Sequence, residues 1–126
     1  METQEALTIS REGDVAIACF KSACICDTDE IARASAALRR HIETQRPSGL
    51  IFDFTGVKFF SSQVLGLLLE TRAALASYDG QVLISSINPQ LHRVFKITNL
   101  DQVFKFFPDT ESAVNAPRSD PSVKSG

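Results

Sequence analysis

Two adjacent serines, Ser61 and Ser62, stand where a short apolar segment gives way to a predicted helix. Together with Asp53 and either His41 or His92, they supply the side-chain types of a nucleophile, an orienting acid and a base. A serine hydrolase of the α/β class surrounds its nucleophile with Gly-x-Ser-x-Gly, and neither serine has that context. Both histidines also lie on predicted helix faces that are distant in sequence. The residues therefore predict a protein that is not an enzyme.

The cysteines offer a second kind of chemistry. Cys19, Cys24 and Cys26 are an odd number, and the first residues lack the basic start and apolar stretch of a secretory signal, so a disulfide framework is disfavoured. With only two scattered histidines in the chain, the paired spacing of zinc ligands is also missing. No glycine-rich nucleotide loop is present. We interpret the cysteines as small apolar residues near a strand end and predict no metal and no cofactor.

The composition is typical of one globular domain, with 126 residues, 44% hydrophobic and 22% charged. The net charge is −2, and the only local basic cluster is at 39–41, which disfavours a nucleic acid partner. Apolar runs such as 67–69 are far too short to cross a bilayer. We expect a cytoplasmic protein with neither nucleic acid nor membrane as a partner.

The first half of the chain carries patterns of both strand and helix. Apolar residues alternate on either side of the turn-forming segment 11–14, which predicts an antiparallel hairpin. Asp27, with Glu30 three residues on, resembles a capping box. Apolar residues then recur at helical spacing until Pro47 and Gly49 end the pattern, so this segment predicts an amphipathic helix.

The second half alternates strands and helices. The predicted elements are a strand over 50–54, a helix from Ser61 to about 78, a strand over 81–86, a helix over 89–98, a strand over 103–107 and a short helix from 109. Such an alternation requires crossovers and a parallel portion of sheet. We predict an α/β fold whose mixed sheet, an N-terminal antiparallel hairpin and then parallel βαβ units, packs against about four helices. The domain is predicted over 1–116, and the polar segment 117–126 as a disordered tail.

Several segments resemble the STAS domain, named for sulphate transporters and anti-sigma factor antagonists. In that family an apolar strand ending Asp-Leu/Phe-Ser/Thr is followed by a Phe and then by Asp-Ser-Ser-Gly-Leu-Gly at the start of a helix. Here the strand ends Asp53-Phe54-Thr55, and the helix start reads Ser61-Ser62-Gln63-Val64-Leu65-Gly66. Segments 87–89 and 94–100 are similar to the stretch after the family's fourth strand. The resemblance covers about 7–115.

The resemblance implies a non-catalytic, partner-switching regulator. Stand-alone bacterial STAS proteins bind an anti-sigma factor, often also a serine kinase, while they are unphosphorylated, and so free a sigma factor. Phosphorylation of the motif's second serine ends that binding, and a phosphatase restores it. The implied function is that of an anti-sigma factor antagonist controlling sigma-factor-dependent transcription. Its implied partners are an anti-sigma factor or serine-protein kinase and a serine phosphatase.

The chain departs from the family at the phosphoacceptor. An ungapped match places Gln63 at that position, Ser62 at the preceding serine and Ser61 where the family has Asp. Glutamine cannot accept a phosphate, so the candidate phosphorylation sites are Ser62 and Ser61. The alternative is a STAS scaffold subunit of a signalling assembly that is not phosphorylated, which Gln63 favours and the two serines oppose. The predicted partner-binding residues are Asp27, Thr28, Phe60, Ser61, Ser62, Gln63 and Gly66.

Each of these residues also has a purely structural interpretation. Ser61 is a predicted helix N-cap, and Asp27 and Thr28 cap the preceding helix. Strand alternation predicts that one residue of the Phe59-Phe60 pair lies in the core and the other on the surface. Gly66 is predicted to allow close helix packing, because glycine inside a helix costs about 1 kcal/mol relative to alanine and needs a reason.

Overall fold

The computed structural model describes residues 7–114. Its strands are β1 (Leu7–Glu12), β2 (Val15–Phe20), β3 (Cys24–Ile25), β4 (Gly49–Asp53), β5 (Phe59–Phe60), β6 (Gln81–Ser85) and β7 (Lys105–Phe107). Its helices are α1 (Thr28–Gln45), α2 (Ser62–Ala76), α3 (Pro89–Ile97) and α4 (Thr110–Val114), with a 3-10 turn at Leu100–Gln102. The predicted tail, 117–126, lies outside the described residues, as do both ends of the predicted domain.

The main sheet has five strands in the order β1-β2-β4-β6-β7. Strands β1 and β2 form an antiparallel hairpin, whose turn includes Gly13 with a φ of 64°, a left-handed conformation that glycine adopts without steric cost. The other neighbouring strands are parallel, and one of the helices α1, α2 and α3 connects each parallel pair. The predicted mixed sheet, with its hairpin, parallel units and four helices, is confirmed.

The sheet is covered on both faces, and β4 shows how. Leu50 and Phe52 join the large core that contains the buried residues of α1, α2 and α3. Ile51, between them, joins a smaller cluster with Ala113 of α4. Successive side chains of a strand point to opposite faces, so this continuous apolar run is buried on both sides, as in other parallel sheets.

Phenylalanine rings connect the main sheet to the region before α2. Phe20 lies 5.3 Å from Phe54 between ring centroids, Phe54 lies 5.7 Å from Phe60, and Phe60 lies 6.0 Å from Phe95 of α3. These separations are typical of tilted and edge-to-face aromatic pairs, which stabilise by about 0.5–1.5 kcal/mol beyond burial. The segment that leads into α2 is therefore packed against the aromatic core through Phe60.

The structure differs from the prediction in two short segments. Strand β7 begins at Lys105 and not at 103, because the N–H groups of Val103 and Phe104 both donate to the Leu100 carbonyl in the 3-10 turn. Strands β3 and β5 form a separate two-stranded parallel sheet that the sequence did not predict. Each of these strands has two residues, which is too short for any periodicity to be recognised.

Candidate functional site

The small sheet fixes the approach to α2. The N–H of Lys58 donates to the Ala23 carbonyl at 2.7 Å, and the N–H of Ser61 donates to the Ile25 carbonyl at 3.0 Å. On the other side, the side-chain amide of Asn88 donates to the Val57 carbonyl at 3.1 Å. The segment between β4 and α2 is thus hydrogen-bonded on both sides. These bonds position the residues that begin α2.

The two candidate phosphoacceptors have different environments. Ser61 occupies the N-cap position with extended backbone angles, but its side chain makes no capping hydrogen bond. Its Oγ is buried and has no hydrogen-bond partner among the described residues. The prediction that the Ser61 hydroxyl caps the helix is therefore wrong, although the position is right. Ser62 is the first residue of α2 and is exposed.

The start of α1 lies beside the start of α2. The Asp27 carboxylate accepts from the N–H of Asp29 at 3.0 Å, which confirms Asp27 as the N-cap. Glu30 does not complete the predicted capping box, because its carboxylate accepts from the hydroxyl of Ser22 at 2.6 Å. The hydroxyl of Thr28 lies 3.4 Å from Oε1 of Gln63 and donates to it. The predicted partner-binding residues of the two helices are thus brought together.

The Phe59-Phe60 pair divides between core and surface, as strand alternation predicts. Phe60 is 5% exposed and packs between Phe54 and Phe95. Phe59 is 58% exposed. The prediction of Phe60 as a partner-binding residue is therefore wrong, because its ring is buried in the aromatic core. Phe59 is the aromatic side chain that this strand presents to solvent. The sequence predicted that one of the two rings is exposed, but it did not decide which one.

Gly66 does not serve close packing. A Cβ built at Gly66 meets nothing within 4 Å outside its own helix, and the residue is exposed. Gly66 instead lies on a groove of about 300 Å³ between α1 and α2, lined by Thr28, Ile31, Ala32, Ser35, Gln63, Gly66, Leu67 and Glu70. The predicted packing role is wrong, and the helix carries the conformational disadvantage of glycine without a gain in packing.

The exposed residues around these two helix starts form one surface. We call it the α1–α2 surface, and it consists of Asp27, Thr28, Phe59, Ser62, Gln63 and Gly66. It combines one aromatic ring with the Asp27 carboxylate, the polar side chains of Thr28, Ser62 and Gln63, and an open groove. Chemically, such a surface has the features of a binding site for another protein, an exposed aromatic anchor within a polar surround.

Asp53, at the end of β4, is the most hydrogen-bonded carboxylate near this region. Burial opposes its ionisation, but hydrogen bonds from the hydroxyl and N–H of Thr55, from the Cys19 thiol and from Thr110 outweigh burial and lower its pKa. The Thr55 bonds are 2.6 Å and 2.9 Å long. Asp53 therefore fixes the turn after β4 and links it to β2 and α4.

The remaining candidate groups are spread over the fold. His92 packs against the ring of Phe106, with 4.5 Å between centroids. His41, on α1, has a pKa lowered by burial and by the nearby charge of Arg11. Within residues 7–114, no three His, Cys, Asp or Glu side chains are grouped so as to hold a metal ion. None of the helices in that range is long and apolar enough to span a bilayer.

Cys24 and Cys26 are the residues that the sequence interpretation placed least well. Both are exposed, and their sulfurs lie 2.6 Å apart. The interpretation as residues near a strand end is correct, because Cys24 lies in β3 and Cys26 directly follows it, but both side chains face solvent and do not act as apolar packing residues. Alternation around the buried Ile25 is the signal that identifies them as a surface pair.

Solved structures with similar folds include those of bacterial anti-sigma factor antagonists. An anti-sigma-factor antagonist (STAS) domain protein from Planctomyces limnophilus has a TM-score of 0.80 at 19% identity, covering 87% of this chain and 96% of that one. An anti-sigma factor antagonist from Mycobacterium paratuberculosis has a TM-score of 0.77 at 22% identity, covering 90% and 93%. The Bacillus cell fate determinant SpoIIAA, in its phosphorylated form, has a TM-score of 0.70 at 18% identity, covering 87% and 97%.

At these identities the likeness to solved structures shows the fold alone. The family is shown independently by the sequence, because the family model for the STAS domain matches residues 26–113, which is more than half of the chain. The matched segment begins just before α1 and ends within α4, so it includes every residue of the α1–α2 surface. The chain belongs to the STAS domain family.

Proposed function

We propose that this protein is an anti-sigma factor antagonist, a non-catalytic regulator that acts in the cytoplasm by binding an anti-sigma factor or serine kinase. In this proposal the α1–α2 surface is the docking surface for that partner. The bound anti-sigma factor releases its sigma factor, and transcription that depends on the sigma factor begins. Membership of the STAS family and the fold shared with antagonists from three bacterial sources support this assignment.

The observation that carries the proposal is the exposed Ser62 at the first position of α2, in the family's motif. Ser61 is the poorer acceptor, because its Oγ is buried and a kinase cannot reach it without opening the structure. We therefore infer that Ser62 is the phosphorylated residue. The relative SpoIIAA, whose structure is solved in a phosphorylated form, supports regulation of this kind.

The position of Ser62 favours a switch that leaves the fold intact. A phosphate adds a charge of about −1.5 to −2, and the free N–H groups and dipole at a helix N-terminus stabilise such a charge by roughly 0.3–1 kcal/mol. The same charge disfavours docking, because a partner that covers it must desolvate it or supply a counter-charge. Phosphorylation would thus release the partner from a folded protein, and a serine phosphatase would restore binding.

Gly66 supports docking on this surface. A glycine inside a helix destabilises it by about 1 kcal/mol relative to alanine, and no packing contact in the structure compensates for this. The bare groove beside Gly66 would let a partner's side chain approach the backbone of α2. Phe59, 58% exposed at the edge of the same surface, would contribute the apolar contact that dominates many interfaces.

A second function is favoured by Gln63. The family's acceptor position holds a residue that cannot be phosphorylated, and the Gln63 side chain is engaged by the hydroxyl of Thr28. On this alternative the protein is a constitutive STAS scaffold subunit of a signalling assembly. It would bind its partner through the same surface and would not respond to a kinase.

The test uses an anti-sigma factor of the serine-kinase type encoded in the same genome, incubated with the full chain and ATP. Trypsin releases residues 59–72 as one peptide, because Lys58 and Arg72 flank it, and fragment ions separate Ser61 from Ser62. We expect one phosphate, on Ser62, and loss of binding once it is added. Ser61→Ala should still be phosphorylated and Ser62→Ala should not.

The outcomes separate the two functions. If the wild type binds the partner and never acquires a phosphate, while Gln63→Ser does, the scaffold function is correct. If the unmodified protein binds no anti-sigma factor of that genome, the assignment as an antagonist is wrong.

A further inference from the structure

Two exposed thiols lie side by side at the edge of the α1–α2 surface. The sulfurs of Cys24 and Cys26 are 2.6 Å apart, whereas a disulfide bond is about 2.0 Å long. Both cysteines are free and exposed, so reagents in solution reach them. The third cysteine, Cys19, lies in β2 of the main sheet, and its thiol donates to the Asp53 carboxylate.

The backbone at the end of β3 explains why these sulfurs meet, since Cys24 lies in the strand and Cys26 directly follows it. Residues i and i+2 of a strand point to the same face, and the residue between them points to the other. Ile25 is fully buried, so Cys24 and Cys26 both face solvent. Two residues of extended chain span roughly 6.6 Å, which is within the range of about 4.4–6.8 Å between Cα atoms that disulfides bridge.

Strand β3 is also held in place by its pairing with β5. Cys24 is paired with Phe59 and Ile25 with Phe60 in the small parallel sheet, and the Ile25 carbonyl accepts from the N–H of Ser61. A bond between the two sulfurs therefore forms on a backbone that is already ordered. Little chain entropy remains to be lost when it closes.

We propose that Cys24 and Cys26 are a redox-active pair that a hydroperoxide converts reversibly into an intramolecular disulfide.

The chemistry needs only these two groups and the oxidant. The Cys24 thiolate attacks one oxygen of hydrogen peroxide, the O–O bond breaks, and the released hydroxide takes a proton to become water, leaving a sulfenic acid on Cys24. The sulfur of Cys26 attacks that sulfur, and the hydroxyl leaves with the Cys26 proton as a second water. Two thiols lose two electrons and two protons in total, and one peroxide becomes two waters. A dithiol reductant reverses the reaction by thiol–disulfide exchange.

The two thiols share one hydrogen bond, in which either sulfur can be the donor. This hydrogen bond to Cys24 is the chief cause that raises the pKa of Cys26. Cys26 thus keeps its proton until the second step, when the proton leaves with the hydroxyl. Cys19 provides the contrast, because burial and the hydrogen bond to Asp53 raise its pKa to about 11 and only the thiolate is nucleophilic.

The position of the pair gives oxidation a consequence, which rests on the proposed function. Cys24 is the cross-strand neighbour of Phe59, and Cys26 directly precedes Asp27, the N-cap of α1. A disulfide would replace two thiols that lie beside Phe59 and Asp27, and it would so change the outline of the α1–α2 surface at its edge. Peroxide would then reduce docking of the anti-sigma factor independently of Ser62.

The test of the disulfide uses the full chain, reduced and then treated with hydrogen peroxide, blocked with a thiol-alkylating reagent and digested with trypsin. The cleavage sites Lys21 and Arg33 place both cysteines of the pair in the peptide 22–33, and Cys19 falls in the peptide 12–21. We expect the first peptide to lose two hydrogen atoms and both alkylatable thiols, and to regain them after treatment with dithiothreitol. The second peptide should be alkylated before and after peroxide.

Serine variants supply the controls. Cys24→Ser and Cys26→Ser change exposed side chains, so both should fold, and neither should lose two hydrogen atoms in the peptide 22–33. Cys19→Ser should leave the disulfide unaffected. Full alkylation of Cys24 and Cys26 after peroxide, separate oxidation of each to a sulfinic acid, or a disulfide linking two chains would each overturn the proposal.

The docking consequence is measured separately, on reduced and oxidised protein with the same anti-sigma factor. Loss of binding on oxidation, with full binding retained by oxidant-treated Cys24→Ser, would support it. Equal binding of the two forms would overturn it while the disulfide itself stands. If even the reduced protein fails to bind, the proposed function is wrong, and the peptide masses still decide the disulfide.

Discussion

The hydroxyl of Thr28 donates to Oε1 of Gln63 across 3.4 Å, so the first residue of α1 is in contact with the second residue of α2. Both helices therefore begin at the same place. The N-terminal end of a helix carries a partial positive charge, and here the ends of two helices adjoin. At α1 this charge is offset by the carboxylates of Asp27, Asp29 and Glu30. The first turn of α2 has no acidic residue, so this is the helix end that favours a phosphate on Ser62.

Removal of the Thr28 hydroxyl should affect binding more than stability. Because 3.4 Å is long for a bond between these groups and both residues are exposed, we expect Thr28→Val to change the free energy of unfolding by less than about 0.5 kcal/mol. Affinity for the anti-sigma factor, measured by calorimetry, should fall. The control is Thr44→Val in the last turn of α1, another exposed threonine, which should bind like the wild type. Equal affinities for all three proteins would remove Thr28 from the docking surface.

Introduction of a negative charge should have opposite effects at the two serines. Ser62→Glu places a carboxylate in the first turn of α2, where the helix dipole is favourable, so thermal unfolding should show an unchanged or slightly higher stability. Ser61→Glu forces a charge into the site where the Ser61 hydroxyl is buried, and it should destabilise by several kcal/mol. Ser62→Glu should nevertheless fail to bind the partner. Strong binding by a folded Ser62→Glu protein would contradict the switch.

Gly66→Ala should stabilise the protein and weaken docking. A Cβ at this position meets nothing within 4 Å, so the substitution should raise the free energy of unfolding by about 0.5–1 kcal/mol. The reverse change at an exposed helix residue, Ala37→Gly in α1, should lower it by a similar amount without altering affinity. Urea unfolding measures the first effect and calorimetry the second. A stabilised variant that binds normally would show that the partner does not approach Gly66.

The sequence predicted those parts of the fold that have long, repeated patterns. Helix α1 follows from Ile31, Ala34, Leu38 and Ile42, all of which are buried in the structure. The hairpin and the apolar run of β4 were likewise predictable, because alternation and turn residues specify them. Such patterns are read along the chain and need no knowledge of distant contacts.

The site was less predictable because tertiary contacts decide it. Burial of Phe60 depends on Phe54, just after β4, and on Phe95 of α3, which is remote in sequence. The buried position of the Ser61 hydroxyl depends on the pairing of β3 with β5. Strands of two residues are too short to be predicted from a sequence pattern. Glu30 has the spacing of a capping box, but its carboxylate accepts a hydrogen bond from Ser22. In each case a local rule identified the position, and a distant neighbour determined the role.

Asp53 should make stability depend on acidic pH. Its pKa is lowered in the folded protein, so its contribution to stability is present above the ordinary Asp pKa of about 3.9 and is lost as the pH falls through the folded value. At neutral pH, Asp53→Asn should cost about 1 kcal/mol, because a charged acceptor of several hydrogen bonds becomes neutral. Urea unfolding from pH 6 to pH 3 should give a shallower loss of stability for the variant. Parallel curves would contradict this assignment.

His41 should also make the protein less stable as the pH falls, but in a higher pH range than Asp53. Burial and the charge of Arg11 lower its pKa, so the unfolded chain binds this proton more readily than the folded one. The stability due to neutral His41 is therefore complete above the unfolded value of about 6.5 and declines as the pH falls below it. Because Nε2 is buried with no hydrogen-bond partner among the described residues, His41→Leu should not destabilise the protein at pH 7.5.

The measurement for His41 is urea unfolding at pH 7.5 and at pH 5.5. The wild type should lose stability between these values, and His41→Leu should lose less. Arg11→Gln removes the second cause of the lowered pKa and leaves the first, so its loss should be intermediate. If His41→Leu loses as much stability as the wild type over this interval, another group is responsible. If it is much less stable at pH 7.5, the His41 ring contributes packing that outweighs its unsatisfied nitrogen.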